Sequence, residues 1–334
     1  MRHFLTTADY RREQLQDMLD MARAFREAPQ TDILNGRSIA LLFFNPSLRT
    51  RTSFEIGAFD LGGHAVVLQP GKDAWPLEFD FGGVMEGDAE EHVKEAAAVL
   101  SRYCALICIR AFPKFLDWGE DRQDKILNAF AEHATVPVIN METITHPCQE
   151  LAHMMALQDR MVETDRKKFV LTWTYHPKPL NTAVANSALM IATKFGMDVT
   201  LLCPTEDYLL DERYLEVARE NTVRQGGSFT ISHDIGEAYG DADVIYAKSW
   251  GALPYFGFWE DEKPIRNQYK HFIVDEEKMA LTNNALFSHC LPVRRNVKVT
   301  DAVLDSPNSI AIEEAENRLH VQKAIMARLL EKEA

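Results

Sequence analysis

Short apolar runs rich in β-branched residues alternate with longer stretches of helical periodicity, and this alternation constrains the fold more than any other feature of the chain. Such runs predict buried strands, and strands that alternate with helices are typical of a parallel sheet covered by helices. The predicted strands are Ser38–Phe44, Ala65–Leu68, Ala105–Ile109, Val136–Asn140, Phe169–Trp173, Val199–Cys203, Phe229–Ser232, Val244–Ala247 and Leu286–His289. The predicted helices between them are Leu48–Leu61, Ala89–Tyr103, Asp121–His133, Thr182–Phe195 and Glu212–Gln225.

The alternation begins again near the middle of the chain, which predicts two domains. A chain of 334 residues is too long for one ordinary hydrophobic core. Long helical segments at Gln149–Asp159 and Ile310–Glu331 are placed to connect the domains. We therefore expect an α/β fold of two parallel-sheet domains joined by two interdomain helices, with a cleft between them. The first would comprise residues 1–148 plus the C-terminal helix 310–334 packing back on it, and the second residues 149–309.

Charge and cysteine usage limit the partners of the chain. Lys and Arg total 36 against 50 for Asp and Glu, so the net charge of -14 repels polyanions at long range and argues against nucleic acid and anionic membranes. The polar N-terminus does not resemble a signal peptide, and no apolar stretch approaches the roughly 20 residues that span a bilayer. The 5 cysteines are scattered, which predicts a reducing cytoplasm. Cys104 and Cys108 lack a second pair at metal-binding spacing, so no metal site is predicted.

The segment Ser47–Ser53 follows a predicted strand and leads into a predicted helix. Free N–H groups at a helix start attract phosphate, hydroxyls add donors, and Arg49 can bind an oxyanion through two nitrogens. An ordinary helix cap with Arg51 on a solvated face would explain Ser47, but not so many donors beside two arginines. The chain has no G-x-x-x-x-G-K-[ST] motif and no G-x-G-x-x-G after a strand. The pattern therefore predicts a site for a small phosphate compound rather than for ATP or NAD.

Two further segments carry polar groups suited to an amide-like substrate. His146-Pro147-Cys148-Gln149 stands at the predicted start of the first connecting helix, where an imidazole can stabilise an oxyanion and an amide can bind an amide-like group. Arg110 follows a predicted strand, at the end where parallel sheets bind ligands. Taken alone, His146 is equally well a structural cap, and Arg110 equally well a surface arginine.

Four short motifs follow one another along the chain. They are S-L-R-T-R at Ser47–Arg51, H-P-C-Q at His146–Gln149, H-C-L-P at His289–Pro292 and E-N-R-x-H at Glu316–His320. Their order and approximate spacing resemble the aspartate/ornithine carbamoyltransferase family, and the likeness spans nearly the whole chain. The resemblance implies a carbamoyl-phosphate domain and an acceptor-binding domain, in a homotrimer whose active sites lie between subunits. It implies no metal or organic cofactor.

The resemblance also implies roles for individual residues. Thr50, Arg110 and His146 would polarise the carbamoyl oxygen, while Gln149 and the carbonyls of Cys290 and Leu291 would hold the carbamoyl nitrogen. The family keeps the Leu-Pro bond of H-C-L-P in cis. The full implied carbamoyl-phosphate site is Ser47, Leu48, Arg49, Thr50, Trp75, Arg110, His146, Pro147, Cys148, Gln149, Cys290, Leu291 and Arg318.

One segment departs from the ornithine-specific members of the family. Those members carry an Asp and an S-M-G triplet after the strand that corresponds to Val244–Ala247, and the Asp binds the free α-ammonium of ornithine. Here the segment begins with Lys248, and like charges about 4 Å apart repel by about 1 to 4 kcal/mol. We therefore expect an acceptor whose α-amine is masked and whose carboxylate Lys248 can bind. A solvated loop lysine would not explain the missing triplet.

In this departure the chain resembles the family members that use N-acetylornithine. In those members a loop of the neighbouring subunit supplies a Trp and an acidic residue. Trp75 and Glu90 match those positions. Glu90 would favour a neutral acetyl over an anionic succinyl group. The implied acceptor site is Glu142, Lys248, Leu291 and Glu90, and Lys298 matches a lysine that is carboxylated there.

Three alternatives differ from this prediction. Transfer to N-succinylornithine shares the fold and chemistry, and Glu90 argues against it. A non-catalytic phosphate-binding protein is disfavoured because Arg110, His146 and Gln149 are all present. A dehydrogenase on a nucleotide-binding fold is disfavoured by the missing glycine motif.

Overall fold

A computed structural model describes residues 3–28 and 31–331 of the chain. The chain divides into two compact units, unit 1 and unit 2. Unit 1 contains the chain up to Pro113, Gly119–Cys148 and the part from Arg318 onward, and unit 2 contains Lys114–Trp118 and Gln149–Asn317. Both units are α/β with parallel sheets, as the alternation of strand and helix patterns predicts.

Unit 1 is built on a four-stranded parallel sheet of order β2-β1-β5-β6. Its strands, together with a small parallel pair β3-β4, are β1 Ser38–Phe43, β2 His64–Leu68, β3 Leu77–Glu78, β4 Glu91–His92, β5 Leu106–Arg110 and β6 Val138–Glu142. Its helices are α1 Arg12–Glu27, α2 Arg49–Asp60, α3 Val93–Tyr103, α4 Trp118–Asp121 and α5 Lys125–His133, of which α4 begins at the last residue of the unit 2 segment. Apolar residues of β1, β5, α3 and α5 form its buried core.

The register of this sheet brings polar side chains together. Arg110 lies opposite Phe43 on one side and opposite Glu142 on the other, so β1, β5 and β6 end side by side. Because these strands are parallel, the residues at their carboxyl ends share one edge of the sheet, where α/β folds bind ligands. The loop from β1 to α2 is held at the same edge, because Asn45 accepts a hydrogen bond from the Phe112 N–H (2.6 Å).

Unit 2 contains a five-stranded parallel sheet of order β11-β10-β7-β8-β9. The strands are β7 Lys168–Trp173, β8 Asp198–Leu202, β9 Ser228–Ser232, β10 Val244–Lys248 and β11 Leu286–Ser288. The helices within unit 2 are α7 Ala183–Lys194, α8 Glu212–Gln225, α9 Ile235–Tyr239, α10 Trp259–Arg266, α11 Glu276–Met279 and α12 Asp301–Leu304. Tyr246 lies opposite Ser288 in this sheet, which places the ends of β10 and β11 together.

Two helices belong to both units. They are α6 Pro147–Arg160, which is divided after Cys148, and α13 Ala311–Leu330, which is divided before Arg318. Among the described residues, no helix combines the length and apolar character needed to cross a membrane.

The observed elements differ from the predicted ones in several places. Helices α1, α4, α9, α10, α11 and α12 and strands β3 and β4 were not predicted. The helix expected from Ala89 begins at Val93, because Glu91–His92 pairs as a strand and the His92 ring caps the helix. The helix expected over Asp121–His133 is broken at Asp124, which has left-handed backbone (φ 50°). Residues 114–118 and 310–317, expected in the first domain, lie in unit 2.

Candidate active site

The S-L-R-T-R segment forms the start of α2. The Ser47 hydroxyl oxygen accepts a hydrogen bond from the Thr50 N–H (3.2 Å), so it satisfies one of the donors that a helix start leaves free. Leu48 precedes the helix with its side chain 76% exposed. Ser47 is therefore a helix cap, and Arg49 and Thr50 begin the helix itself.

Thr50 is the centre of a buried group of arginines in unit 1. Its hydroxyl oxygen accepts hydrogen bonds from Arg318 Nη2 (2.6 Å) and from Arg110 Nη1 (3.3 Å). All three side chains are buried, although they come from α2, α13 and the end of β5. The Nε atoms of both arginines are buried and have no hydrogen-bond partner among the described residues. The group therefore brings two guanidinium groups with spare donors to the first turn of a helix, which suits an oxyanion.

Glu142 supplies a negative charge beside these cations. Its carboxylate forms an ion pair with Arg110 and lies 3.4 Å from His146 Nε2. Burial lowers the pKa of the Arg318 guanidinium, an effect that the Glu142 charge opposes. Glu142 was predicted to contact the acceptor, and here it belongs to the arginine group of unit 1. Its role toward an acceptor stays a prediction.

The H-P-C-Q segment opens α6. Pro147 is the first helical residue, a position that suits proline because its missing N–H would have no partner there. The Cys148 side chain is fully buried, and its thiol donates to the Asn140 carbonyl (3.6 Å). Any contact of Cys148 with a ligand would therefore come from its main chain. Gln149, the first residue of unit 2 in this helix, donates from Nε2 to the Glu314 carboxylate (2.5 Å).

The H-C-L-P segment has an unusual backbone. The Leu291–Pro292 bond is cis, and Leu291 has a φ of 52°, in the left-handed region that few side-chain-bearing residues adopt. The Leu291 N–H donates to His289 Nδ1 (2.9 Å) and so stabilises this turn. Left-handed backbone at a residue with a large side chain, as at Leu291, concentrates at binding sites.

A group of cationic side chains lies beside this turn in unit 2. Lys248 Nζ donates to Cys290 Sγ (3.5 Å), and Arg294 Nε donates to His176 Nε2 (3.0 Å). Lys298 is buried, and burial together with the Lys248 charge lowers its pKa to about 7. Burial also lowers the pKa of His176 to about 4. The group suits a carboxylate ligand.

His176 and Arg294 were not predicted as site residues. His176 follows β7 at its carboxyl end, and Arg294 follows the H-C-L-P turn by two residues. Position after a strand in a parallel sheet was the available signal for His176. Arg294 gave no signal of its own, because a single arginine after a turn is normally a surface residue.

Trp75 and Glu90 lie in the long loop region between β2 and α3. Trp75 is 65% exposed and lines a cavity of about 630 Å³ in unit 1 together with Leu77, Glu91 and Val99. Glu90 is exposed. Within the described part of the chain, neither side chain forms a hydrogen bond or ion pair with Thr50, Arg110 or Arg318, so their predicted roles stay predictions.

Trp250, which stands where the ornithine-specific triplet would be, is a core residue. It is buried, and its indole N–H donates to the Tyr208 carbonyl (2.8 Å) while its own carbonyl accepts from the Trp173 indole (2.9 Å). The segment after β10 is therefore anchored in the core of unit 2, directly after Lys248, the residue of the cationic group that ends the strand.

Two family profiles match the chain. Residues 2–159 match the aspartate/ornithine carbamoyltransferase carbamoyl-P binding domain, and residues 179–329 match the Asp/Orn binding domain of the same family. The two matches fall on the part of the chain that carries the arginine group and on the part that carries the cationic group, respectively. The chain belongs to the aspartate/ornithine carbamoyltransferase family.

Within this family, the chain is most usefully compared with members whose acceptor is named. The chain is 68% identical to the N-acetylornithine carbamoyltransferase of Xanthomonas campestris over 332 residues, which cover 99% of this chain and 98% of that protein. It is 37% identical to the N-succinylornithine carbamoyltransferase of Bacteroides thetaiotaomicron, covering 95% and 97%. A crystal structure of acetylornithine transcarbamylase complexed with acetylcitrulline has a TM-score of 0.98 to this chain at 68% identity, covering 99% of this chain and all of that one.

Proposed function

We propose that the chain transfers the carbamoyl group of carbamoyl phosphate to the side-chain amine of N-acetyl-L-ornithine, giving N-acetyl-L-citrulline and phosphate, as a step in arginine biosynthesis. The observation that carries the proposal is the 68% identity to N-acetylornithine carbamoyltransferase across 99% of the chain. The arginine group around Thr50 and the lysine at the end of β10 support it on physical grounds.

Unit 1 is proposed to bind the phosphate and to polarise the carbonyl. The start of α2 offers N–H groups to the phosphate, and Arg49 and Arg318 add charge-assisted hydrogen bonds. Arg110, His146 and Thr50 stabilise negative charge on the carbamoyl oxygen, and this charge grows as the carbonyl carbon becomes tetrahedral. The phosphate-binding set is Ser47, Leu48, Arg49, Thr50, Arg318 and, through its indole N–H, Trp75.

Unit 2 is proposed to hold the carbamoyl amino group and the acceptor. Gln149 and the carbonyls of Cys290 and Leu291 accept hydrogen bonds from the amino group. The uncharged δ-amine forms a bond to the carbonyl carbon, and the bond from that carbon to the phosphate oxygen breaks. The departing phosphate keeps the electron pair of that bond and takes up the proton that the amine loses. Catalysis consists of orientation and oxyanion stabilisation by residues of the chain.

Acceptor choice is proposed to rest on Lys248 and Glu90, with Glu142 and Leu291 as further contacts. Lys248 binds the acceptor carboxylate and repels a free α-ammonium, so ornithine is excluded. Glu90 repels the extra carboxylate of a succinyl group. N-succinylornithine is the alternative acceptor, because the succinyl-specific relative shares 37% of residues over a similar length.

Lys298 is proposed to carry a carboxyl group derived from carbon dioxide. Its lowered pKa of about 7 leaves much of the amine neutral near neutral pH, and a neutral amine adds to carbon dioxide with loss of a proton. The resulting carbamate anion would lie beside Lys248 and Arg294. A carbonyl resonance after incubation with isotopically labelled bicarbonate, absent from Lys298→Met, would support the modification; its absence from the parent would contradict it.

The acceptor test is citrulline formation from carbamoyl phosphate with N-acetylornithine, N-succinylornithine or ornithine in separate reactions. Turnover with the acetyl compound alone is expected. Turnover with ornithine would overturn the role of Lys248, and absence of turnover with all three would favour a non-catalytic phosphate-binding protein. Glu90→Ala is expected to shift preference toward the succinyl acceptor by at least tenfold, about the effect of 1.4 kcal/mol. Unchanged selectivity would contradict that role.

We also infer a cytoplasmic homotrimer whose active sites are shared between subunits. Large apolar side chains of unit 1 stand exposed along one stretch of chain, which is typical of an interface: Phe59, Val66, Trp75, Phe81, Val84, Met85, Val99 and Tyr103. Light scattering should give a trimer mass. Mixing Arg110→Ala with Trp75→Ala subunits should recover part of the activity that each variant has lost, and a monomer mass or no recovery would contradict the inference.

A further inference from the structure

Glu314, in the part of α13 that belongs to unit 2, has no role in the chemistry proposed above. Its carboxylate is 0% exposed and is surrounded by polar groups. One oxygen accepts from Gln149 Nε2 (2.5 Å) and from the Tyr246 hydroxyl (3.1 Å). The other accepts from the Ser288 hydroxyl and lies 3.3 Å from His153 Nδ1. A buried carboxylate with this many partners is held in one orientation.

The contacts of the Glu314 carboxylate are those of its ionised form, because both oxygens accept hydrogen bonds. Burial alone would raise the pKa of Glu314, but the neighbouring imidazole and the hydrogen bonds that it accepts outweigh burial and lower the pKa below its usual value. An ionised carboxylate only accepts hydrogen bonds. Whatever lies against it at hydrogen-bond distance must therefore present a donor.

This requirement fixes which way the Gln149 amide faces. An amide side chain carries an acceptor at one end and donors at the other, and the two ends have nearly the same shape. Because Glu314 accepts only, Gln149 must turn its NH₂ group toward Glu314, and its oxygen is then left to accept from a ligand. The amino group of carbamoyl phosphate is amide-like and offers only N–H donors, so an acceptor is what it needs.

The same carboxylate joins the other segments proposed to contact substrates in unit 2. Tyr246 lies in β10 two residues before Lys248, and Ser288 ends β11 two residues before Cys290. One buried group thus sets the positions of α6, β10 and β11 relative to one another. A general-base role is excluded by geometry, because both oxygens are already occupied and the group is out of contact with solvent.

We propose that Glu314 is a positioning residue that holds the Gln149 amide with its oxygen toward the amino group of carbamoyl phosphate. The proposal rests on the function proposed above. It predicts that Glu314 governs recognition of the amino group and leaves recognition of the phosphate unchanged.

The test compares two ligands that differ at that group. Acetyl phosphate carries a methyl group where carbamoyl phosphate carries NH₂, so it has no donor for Gln149. Binding of each is measured by calorimetry with the parent and with Glu314→Gln, whose amide no longer dictates the polarity of its neighbour. The variant should bind carbamoyl phosphate about tenfold to a hundredfold more weakly, as when a buried N–H donor is left without an acceptor, and acetyl phosphate within about twofold of the parent.

Two further variants separate positioning from general loss of structure. In a Gln149→Ala background, Glu314→Gln should weaken carbamoyl phosphate binding no further. The exchanged pair Gln149→Glu with Glu314→Gln again places a donor against an acceptor and leaves one carboxylate oxygen for the ligand. This pair should recover binding relative to Glu314→Gln alone.

Glu262→Gln is the matched control. Glu262 is also a wholly buried carboxylate of unit 2, held by the Tyr208 hydroxyl (3.1 Å) and by Arg266, and it contacts none of the proposed site residues. Glu262→Gln should lower the melting temperature without changing the ratio of the affinities for carbamoyl phosphate and acetyl phosphate.

Equal weakening of the binding of both ligands by Glu314→Gln would overturn the proposal. A parent that binds both ligands but forms no acetylcitrulline would overturn the proposed function instead, and the binding comparison would still decide the role of Glu314.

Discussion

Lys298 is a buried lysine beside other cations, which is an unfavourable position for an ammonium group. Burial is the larger cause of its lowered pKa of about 7, and the neighbouring Lys248 adds repulsion. In the unfolded chain the same amine has its usual pKa of 10.5. Between these two values the unfolded state binds more protons than the folded state, so raising the pH through this window favours folding.

The expected result is a rise in the free energy of unfolding from pH 7 toward pH 10, with a contribution from Lys298 of up to about 1.4 kcal/mol per pH unit. The free-energy cost of burying the Lys298 ammonium is fully present below pH 7. It vanishes above the pKa that Lys298 has in the unfolded chain. Lys298→Met should be more stable than the parent at pH 7 and should lack this part of the slope. Urea unfolding in buffers free of carbon dioxide measures both, and identical slopes in parent and variant would refute the buried-ammonium explanation.

At the scale of single residues, the sequence predicted the residues that belong to motifs. It missed the residues that act through other residues. Thr50, Arg110 and Arg318 lie far apart in the chain, yet each carried a motif or strand-end signal, and the structure brings them into contact. The contact between Gln149 and Glu314 gave no signal, because an acidic residue early in a helix is ordinary. Its importance appears only once its burial and its partners are known.

At the scale of elements, the turn after β10 depends on a close approach of backbone to α10. A Cβ atom on Gly251 would lie 2.6 Å from the Trp259 ring and 2.9 Å from Pro179. The Gly251 N–H also donates to the Leu180 carbonyl (3.1 Å). No residue larger than glycine fits without movement of the Trp259 ring or of Pro179.

Gly251→Ala is therefore expected to lower the free energy of unfolding by about 1 to 3 kcal/mol, the usual cost of overpacking. Chemical denaturation followed by tryptophan fluorescence measures the change. Gly87→Ala is the control, since a Cβ there meets no atom within 4 Å, and it should change stability by less than about 0.5 kcal/mol. Equal stability of the two variants would mean that the Trp259 ring and Pro179 yield without cost, and would contradict the expected overpacking.

The nine predicted strands are all present within the described residues, with ends shifted by at most two residues, because buried parallel strands have strong apolar patterns. β3 and β4 could not be predicted, since two-residue strands carry no periodicity. Helix α1 could have been predicted, because Leu15, Met18, Leu19 and Ala22 are buried at helical spacing. The break in the helix at Asp124 depends on one residue's backbone angle, which composition does not reveal.

At the scale of the whole molecule, the chain order does not follow the division into units. Residues Lys114–Trp118 leave the sheet of unit 1 just after Arg110 and pack within unit 2. The Trp118 indole donates to Asp211 (2.6 Å), the Phe115 carbonyl accepts from the Trp259 indole (2.9 Å), and the Phe115 ring stacks on Phe256 with centroids 5.8 Å apart.

Trp118→Ala should therefore weaken unit 2 although it lies in the first half of the chain. We expect the free energy of local opening around Trp259–Arg266 to fall by about 1 to 3 kcal/mol, from the lost hydrogen bond and ring contacts. Amide hydrogen exchange should quicken there and stay unchanged in β1 and β5. Leu116→Ala, at a side chain 73% exposed in the same segment, should leave both regions unchanged. Faster exchange confined to β1 and β5 would contradict this assignment.

The same division determines how such enzymes can be recombined. Unit 2 is encoded by two separate stretches of the gene and unit 1 by three, so no single cut yields a fragment that contains one complete unit. A chimaera that takes its acceptor-binding unit from a relative needs junctions after Pro113, Trp118, Cys148 and Asn317, and the last three fall inside helices. A change of acceptor by exchange of gene segments is consequently a far larger alteration than the substitution of Lys248 or Glu90, the single residues proposed above to select the acceptor.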